Sequence, residues 1–261
     1  TFALPSVVPS SSIAGDLLVG GQTPNQLFVI DGTTDRVVKQ IPLSGVGTPV
    51  TIVFDQRNQN IVYVTTNRWQ SICAVDIDKG KELKCIDLSR AENGSRVVVR
   101  AGALDVNPKT GELYVYELRV KEMLGRYEIL PTRIEVFDPQ TLEPTRNFEA
   151  PRQATVMAFS PDGSRLYTFH VGDIYEYDSS SGKIVRRTPL VYHNVTGMGG
   201  VDGLPFYPNY AESGYVVAFG YGAEDPFHGT WQVGLGQFDL KTGGLEMYEL
   251  APFGPNNYYL G

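Results

Sequence analysis

Short runs of alternating apolar and polar residues, separated by turn-forming types, fill this chain, and one phrase recurs five times along it. An apolar or aromatic residue is followed by an Asp, a few turn residues and a fresh strand: VIDGTTDRVVKQI, AVDIDKGKELKCI, VFDPQTLEPTRNF, EYDSSSGKIVRRT and QFDLKTGGLEMYE. The recurring acids are Asp31, Asp76, Asp138, Asp178 and Asp239, at spacings of about 40 to about 60 residues, the length of a four-stranded propeller blade with or without an inserted loop. A second unit precedes most of these phrases, a strand that ends in a turn and leads into another strand, as in TIVFDQRNQNIVYVTT, ALDVNPKTGELYVYEL and MAFSPDGSRLYTF.

Together the two phrases predict four short antiparallel strands per unit. A single four-stranded meander cannot bury both of its faces, so several must pack around a common axis, and the expected fold is an all-β propeller with about five blades in this chain. The repeated Asp needs no catalytic explanation, because a carboxylate at that place accepts backbone N–H groups of the following turn. Residues 1–14 read as an N-terminal extension and residues 15–261 as the propeller domain. Its first unit has three candidate strands, DLLVGG, NQLFVID and RVVKQIPL, and its last stops where YYLG would open a sixth unit, so the ring is expected to be incomplete at the C-terminus. Two units carry insertions in equivalent places: Arg119 to Thr132, expected as a β-ribbon or a short helical turn, and Gly222 to Trp231. Insertions at one position of successive blades fall on one face, the usual place for a partner or ligand.

Composition narrows the function classes. Gly 28 and Pro 17 against 20% charged residues argue against long helices. A net charge of −7 has the wrong sign for holding nucleic acid by its phosphates. No run approaches the apolar length of a membrane-spanning helix, and the polar opening Thr1 to Ser12 has no charged start followed by an apolar core, so a signal peptide is expected to have been removed already or never to have existed. Two cysteines are too few for a four-ligand zinc site or a disulfide framework. Cys73 and Cys85, in SICAVDIDKGKELKCIDL, are brought nearly opposite by a turn around Lys79 and Gly80. They form either a cross-strand disulfide, which implies an oxidising compartment, or two buried thiols.

The phrases GDLLVGGQTPNQLFVIDGTTDRVV, FEAPRQATVMAF, LYTFHVGDIYEYDSSSGKI and GQFDLKTGGLEMYEL, with the placing of the inserted loops, resemble the β-propeller subunit of quinohemoprotein amine dehydrogenase. More distantly the chain is similar to the heavy chain of methylamine dehydrogenase and to YVTN-type propellers. The resemblance runs in order along nearly all of the chain. It implies a seven-bladed ring in a periplasmic or extracellular complex that oxidises primary amines and passes electrons onward. In that family the propeller carries no redox group: a small subunit holds a cysteine tryptophylquinone and a dihaem cytochrome subunit holds haem c. The absence of a Cys-x-x-Cys-His signal agrees with zero haems and no cofactor in this chain. The rival expectation is a non-enzymatic exported propeller that serves as a binding or scaffolding module.

No catalytic residue and no metal site is assigned. The histidines His170, His193 and His228 lie in different units, no G-x-S-x-G elbow accompanies them, and no pair has ligand spacing. His170 is expected in a loop after RLYTF, making a simple hydrogen bond or lining a pocket. Trp69 and Cys73 sit four residues apart, but a tryptophylquinone in this chain is disfavoured because Cys73 has Cys85 as a candidate partner and Trp69 reads as a loop aromatic between strands. GMGGVDG lacks the helix a phosphate loop needs. The candidate substrate and partner rim consists of Asn67, Arg68, Trp69, Arg152, Gln153, His170, Asp202, His228 and Trp231, since loops joining successive blades and loops between second and third strands gather at one end of a propeller. Asn93-Gly94-Ser95 and Asn194-Val195-Thr196 match the glycosylation sequon.

Overall fold

A computed structural model describes residues 17–152, 154–170, 173–189, 191–192, 195–196, 201–202, 215–222, 231–238 and 244–249. Every regular element among them is a strand. The chain divides into two compact units, Thr1–Arg100 and Ala101–Gly261.

In the first unit β1 (Leu17–Gln22), β2 (Gln26–Asp31) and β3 (Arg36–Pro42) form a three-stranded antiparallel sheet, as the three candidate strands of the first repeat predict. A four-stranded meander follows, from β4 (Ile52–Phe54) through β5 (Ile61–Thr66) and β6 (Ser71–Asp76) to β7 (Lys81–Asp87). Val62, Val64, Cys73 and Val75 on one face of this meander pack with Leu27, Val29 and Ile41 of the first sheet and with Leu43 just beyond it. All six residues of β6 are buried, whereas the outermost strand β7 has no fully buried position. That contrast is what a sheet covered on both faces at its centre and open at its margin requires. A short strand β8 (Arg90–Glu92) pairs with the start of β9 (Ser95–Val106), which runs on into the second unit.

In the second unit β10 (Leu113–Met123), β11 (Arg126–Ile129), β12 (Arg133–Phe137) and β13 (Pro144–Glu149) continue the sheet of β9, with β11 paired to β10 alone. Next come a meander of β14 (Ala154–Phe159), β15 (Arg165–His170), β16 (Asp173–Asp178) and β17 (Ile184–Pro189), and a short pair of β18 (Val191–Tyr192) with β19 (Val195–Thr196). The last meander contains β20 (Val201–Asp202), β21 (Tyr215–Gly222), β22 (Trp231–Phe238) and β23 (Leu245–Glu249). Tyr114, Tyr116, Ile134 and Val136 pack onto Met157, Phe159, Leu166 and Tyr177, and Phe238 closes edge-on against Tyr167 and Phe169.

The repeat is local chemistry carried out four times within the described residues. Asp31 accepts the Thr33 amide at 2.8 Å, Asp76 the Lys79 amide at 2.8 Å, Asp138 the Gln140 and Thr141 amides at 2.9 and 2.8 Å, and Asp178 the Ser181 amide at 2.9 Å. Four residues after each Asp the backbone turns left-handed, at Asp35, Gly80, Leu142 and Gly182. Just before each Asp the pairing of third and fourth strands slips by one residue, a bulge that turns the strand end into its hairpin. The turn amides beside Asp31 and Asp138, and the Ser180 hydroxyl beside Asp178, hold these carboxyls below the usual range. Burial raises Asp76, but hydrogen bonds from Lys79 outweigh it and the net direction is again downward. Asp239 lies outside the described residues.

The insertion from Arg119 to Thr132 is a β-ribbon. It is made by the outer half of β10 and by β11, in the register Val120↔Ile129, Lys121↔Glu128, Glu122↔Tyr127 and Met123↔Arg126. The second insertion occupies the same topological place, between the ends of β21 at Gly222 and of β22 at Trp231; residues 223–230 lie outside the description.

Candidate functional site

At one end of the first unit three connections meet. Asn25, after β1, donates from Nδ2 to the Leu43 carbonyl at 3.1 Å and accepts the Thr66 hydroxyl at 2.7 Å. The Thr65 hydroxyl accepts the Thr51 amide at 3.0 Å, and the Asn67 amide donates to the Val46 carbonyl at 2.9 Å. Asn25, Thr65, Thr66 and Ser71 are all buried. Buried polar groups are tolerated only when their bonds are made, and here they are made between different loops, which fixes the loops to one another.

This network carries the β5–β6 hairpin. The Gln70 amide closes it on the Asn67 carbonyl at 3.1 Å, leaving Arg68 and Trp69 as the two central residues. Asn67, Arg68 and Trp69 have φ of 50°, 55° and 65°. Two central residues at positive φ define the primed turn that usually takes Asn-Gly, and a non-glycine residue in that region costs about 1–2 kcal/mol. The conformation persists because its surroundings hold it: Val46 bonds Asn67, the Leu88 amide bonds the Gln70 carbonyl at 2.8 Å, and Asn67 Nδ2 reaches Ser71 Oγ at 3.4 Å. At the tip Arg68 is exposed and Trp69 keeps 38% of its surface open. Val46 and Val50, on the loop that Asn67 bonds, are exposed as well. The structure therefore brings Asn67, Arg68 and Trp69 together as one rigid tip.

The rim candidates of the second unit behave differently. His170 is the last residue of β15 and is 3% exposed, not a loop residue as the sequence suggested; the strand continues one position past RLYTF. Its Nδ1 lies 2.8 Å from the Arg152 carbonyl, which can only accept, so Nδ1 carries the proton. Nε2 then accepts the Thr168 hydroxyl at 2.7 Å, and Thr168 Oγ1 also lies 3.5 Å from the Tyr177 hydroxyl. Burial lowers the imidazole pKa, and burial pushes Tyr177 up to about 12, so the whole chain of bonds stays neutral. Both ring nitrogens are thus occupied, Nδ1 in fixing the Arg152 backbone and Nε2 in bonding Thr168. Arg152 is exposed on the connection between β13 and β14. Tyr116 and Thr132 tie the same connection down through the Pro151 and Ala150 carbonyls, at 2.5 and 2.6 Å. Asp202 ends β20 and Trp231 opens β22 opposite Gly222. Gln153, His193 and His228 lie outside the described residues.

Two features of the second unit escaped the sequence reading. Asp105, in β9, is buried with no cationic partner among the described residues; its carboxyl accepts the Val106 and Phe159 amides at 2.8 and 3.0 Å, and burial pushes its pKa up to about 7. The only sequence signal is an acid interrupting the apolar run of ALDV. Glu117, fully buried at the root of the ribbon, faces Arg133 at 2.8 Å and Arg119 at 3.8 Å, while Arg133 also reaches Glu135 at 2.5 Å. These ion pairs, with Arg133 hydrogen-bonded to Glu117, anchor the ribbon's base.

Cys73 and Cys85 stand opposite each other across β6 and β7 and are joined as a disulfide. Glu82 brings a carboxylate within 4.8 Å of both sulfurs, but neither sulfur is a thiolate and Glu82 already accepts the Ser44 amide, so the trio does not fit a metal. Neither cysteine is left to bond a haem, or to cross-link Trp69 into a quinone.

No family model matches the chain, and no curated protein matches it by sequence. Solved structures do. A chain of hydrazine synthase from Kuenenia stuttgartiensis is similar with a TM-score of 0.62 at 16% identity, over 87% of this chain and 60% of that one. A chain of a mitotic checkpoint complex gives 0.51 at 12% identity, over 88% and 60% respectively. The Swd1 (Cps50) β-propeller domain of Myceliophteria thermophila gives 0.52 at 11% identity, over 91% and 84%. This chain thus spans about 60% of the length of the first two. At such identities the likeness concerns the fold: the chain is an all-β protein built of four-stranded antiparallel propeller blades, about five of them.

Proposed function

We propose that this chain is the propeller subunit of an exported, multisubunit oxidoreductase of the amine dehydrogenase kind. It docks the quinone-bearing subunit, forms part of the pocket for a primary amine, and leaves the quinone and the haem c to its partners. The observation that carries the reading is the Arg68–Trp69 tip: an exposed cation and aromatic held in an unfavourable backbone conformation by a buried polar network. Arg and Trp are the side chains on which protein interfaces most often depend, and a tip already rigid loses little entropy on docking. The phrases resembling the amine dehydrogenase propeller supply the choice of complex, and the Cys73–Cys85 bond supports an oxidising compartment.

A second reading is a non-enzymatic binding or scaffolding propeller. The observation favouring it is His170, whose two ring nitrogens are both engaged in structural hydrogen bonds and so do not serve as a base. Purifying the native particle and recording its subunit masses with its visible spectrum separates the two. A haem Soret band together with a large and a very small companion subunit is the result expected. A colourless particle holding only this chain overturns the amine dehydrogenase reading.

A further inference from the structure

Asn93 and Gly94 are the two central residues of the hairpin between β8 and β9, closed by the pair Glu92↔Ser95, and their φ angles are 49° and 75°. Two central residues at positive φ make the primed turn that Asn-Gly fits best. The same dipeptide is also the one most open to attack by its own main chain. The nitrogen of the residue after an asparagine reaches the side-chain carbonyl carbon without hindrance only where that residue lacks a Cβ.

Asn93-Gly94 is the only Asn-Gly step in the sequence; Asn25, Asn58, Asn60, Asn67, Asn107 and Asn147 each precede a residue that carries a Cβ. Both residues are exposed, and a Cβ placed on Gly94 would meet nothing within 4 Å. The Asn93 side chain bonds no described residue. The Asp-Gly steps at Asp31 and Asp162 differ on each count. Asp31 accepts the Thr33 amide at 2.8 Å, Asp162 accepts the Ser160 hydroxyl at 2.6 Å and the Ser164 amide at 3.0 Å, and an ionised carboxylate is a poor target for a nucleophile.

We infer that Asn93 is a site of spontaneous deamidation, and that the modification releases β8 from β9. The Gly94 nitrogen loses its proton to hydroxide and bonds to Asn93 Cγ; the Cγ–Nδ2 bond breaks and ammonia leaves, which closes a succinimide ring. Water opens the ring at one carbonyl or the other, giving aspartate or an isoaspartate whose main chain runs through Cβ and Cγ. No oxidant or reductant takes part. A primed turn holds the Gly94 nitrogen away from Cγ, so the reaction waits on fraying of β8, a strand of three residues at the edge of its sheet. Once formed, isoaspartate adds a methylene to the backbone of a turn that accommodates two residues of ordinary length. The ladder beyond then loses its register. Alternation from the closing pair makes Arg90–Val97 hydrogen-bonded, with the Val97 amide facing β8, and the Val99 amide donates to Ser89 Oγ at 3.2 Å. Both valines are buried, so the modification uncovers apolar side chains together with unpaired amides. The inference is independent of the amine dehydrogenase reading.

The test is incubation of the purified chain at pH 6 and pH 8, followed by trypsin, which excises Ala91 to Arg96, and mass spectrometry against an unincubated control. The expected result is a gain of about one mass unit at Asn93 alone, in two chromatographically distinct isomers, at a rate that rises with hydroxide. Gly94→Ala slows it at least tenfold; alanine is strained at φ 75° and frays the hairpin, so slower deamidation there isolates the effect of the Cβ. In the isoaspartate form amide exchange accelerates at least fivefold at Val97 and Val99 and is unchanged at Val98, whose amide faces the opposite edge. Asn93→Asp, which adds the charge without the methylene, keeps the protection of Val97 and Val99. No mass gain, a gain as fast at the other asparagines, a glycan on Asn93 of the native protein, or unchanged exchange in the isoaspartate form each overturn the proposal.

Discussion

The β5–β6 hairpin turns on Arg68 and Trp69, two bulky residues at positive φ, whereas the β10–β11 hairpin turns on Leu124 and Gly125, with the positive φ left to the glycine. Both connect the second and third strands of a blade. In the first, strain is held by hydrogen bonds among Asn25, Val46, Thr66 and Asn67, and the exposed tip is small and fixed. In the second, the backbone is relaxed, the base is clamped by charge, and a longer apolar face stands open along an unpaired edge. A braced tip suits recognition by side chains in a set geometry, and an open edge suits recognition by main-chain pairing.

The largest expected effect separates the two units by pH. The network under the tip consists of Asn, Thr and Ser and does not titrate, while the second unit contains Asp105. A carboxyl whose folded pKa is raised to about 7 binds its proton more tightly folded than unfolded. Its contribution is therefore fully present below the unfolded value and is lost as pH rises through about 7, by up to roughly 4 kcal/mol. His170, lowered by burial, acts in the opposite direction over part of that range, so the clean comparison is with Asp105→Asn. Between pH 4 and 8 amide exchange at Tyr114 and Phe159 should accelerate in the unsubstituted chain relative to this variant, with the amides of Val64 and Cys73 unaffected. Parallel profiles in the two proteins would remove Asp105 from the account.

Next in size, Thr66→Val strands the buried Asn25 carbonyl oxygen and should cost about 1–3 kcal/mol in urea unfolding, with the tip's exchange protection lost first. If Thr66→Val is neutral, the network does not hold the strain. Replacing Arg68 by Asn together with Trp69 by Gly restores the usual primed-turn residues and should stabilise by about 1–2 kcal/mol, while abolishing co-purification with the partner subunits. A stabilised variant that still assembles would transfer docking elsewhere. Smallest of all, Tyr127→Ser with Ile129→Thr removes exposed groups only and should move the unfolding midpoint by no more than about 0.5 kcal/mol. A larger loss would mean that the ribbon's apolar face is packed.

The sequence made the repeats legible because each is written in local chemistry: an Asp that caps its own turn, a left-handed residue four positions on, an outer strand of alternating character. Arg68 and Trp69 were visible as a loop pair, but their backbone was not, since Asn67-Arg68-Trp69-Gln70 carries none of the glycine such a turn normally announces. What holds them, Thr66 bonding Asn25 across 41 residues, is a tertiary contact with no local signature. The VGD that follows His170 predicts a loop there, although the strand extends one residue further. Asp105 carries no signal beyond an acid among the apolar residues of ALDV; only burial sets it apart from the turn aspartates. The ribbon was one of two alternatives for its segment, because charged and apolar residues interleave there without deciding between helix and strand. Gln153, Asp202, His228 and Trp231 belong to the rim only as proposals.

The Cys73–Cys85 bond also alters what it means to cut this protein. It encloses the turn at Lys79 and Gly80, and Lys79, with 72% of its side chain exposed, offers trypsin a site inside that loop. A chain nicked there remains one covalent molecule, with β6 and β7 tied by sulfur where the peptide backbone no longer joins them. It should run as a single band until a reductant is added, and then as two. At that one margin of the fold, continuity of the chain is secured twice.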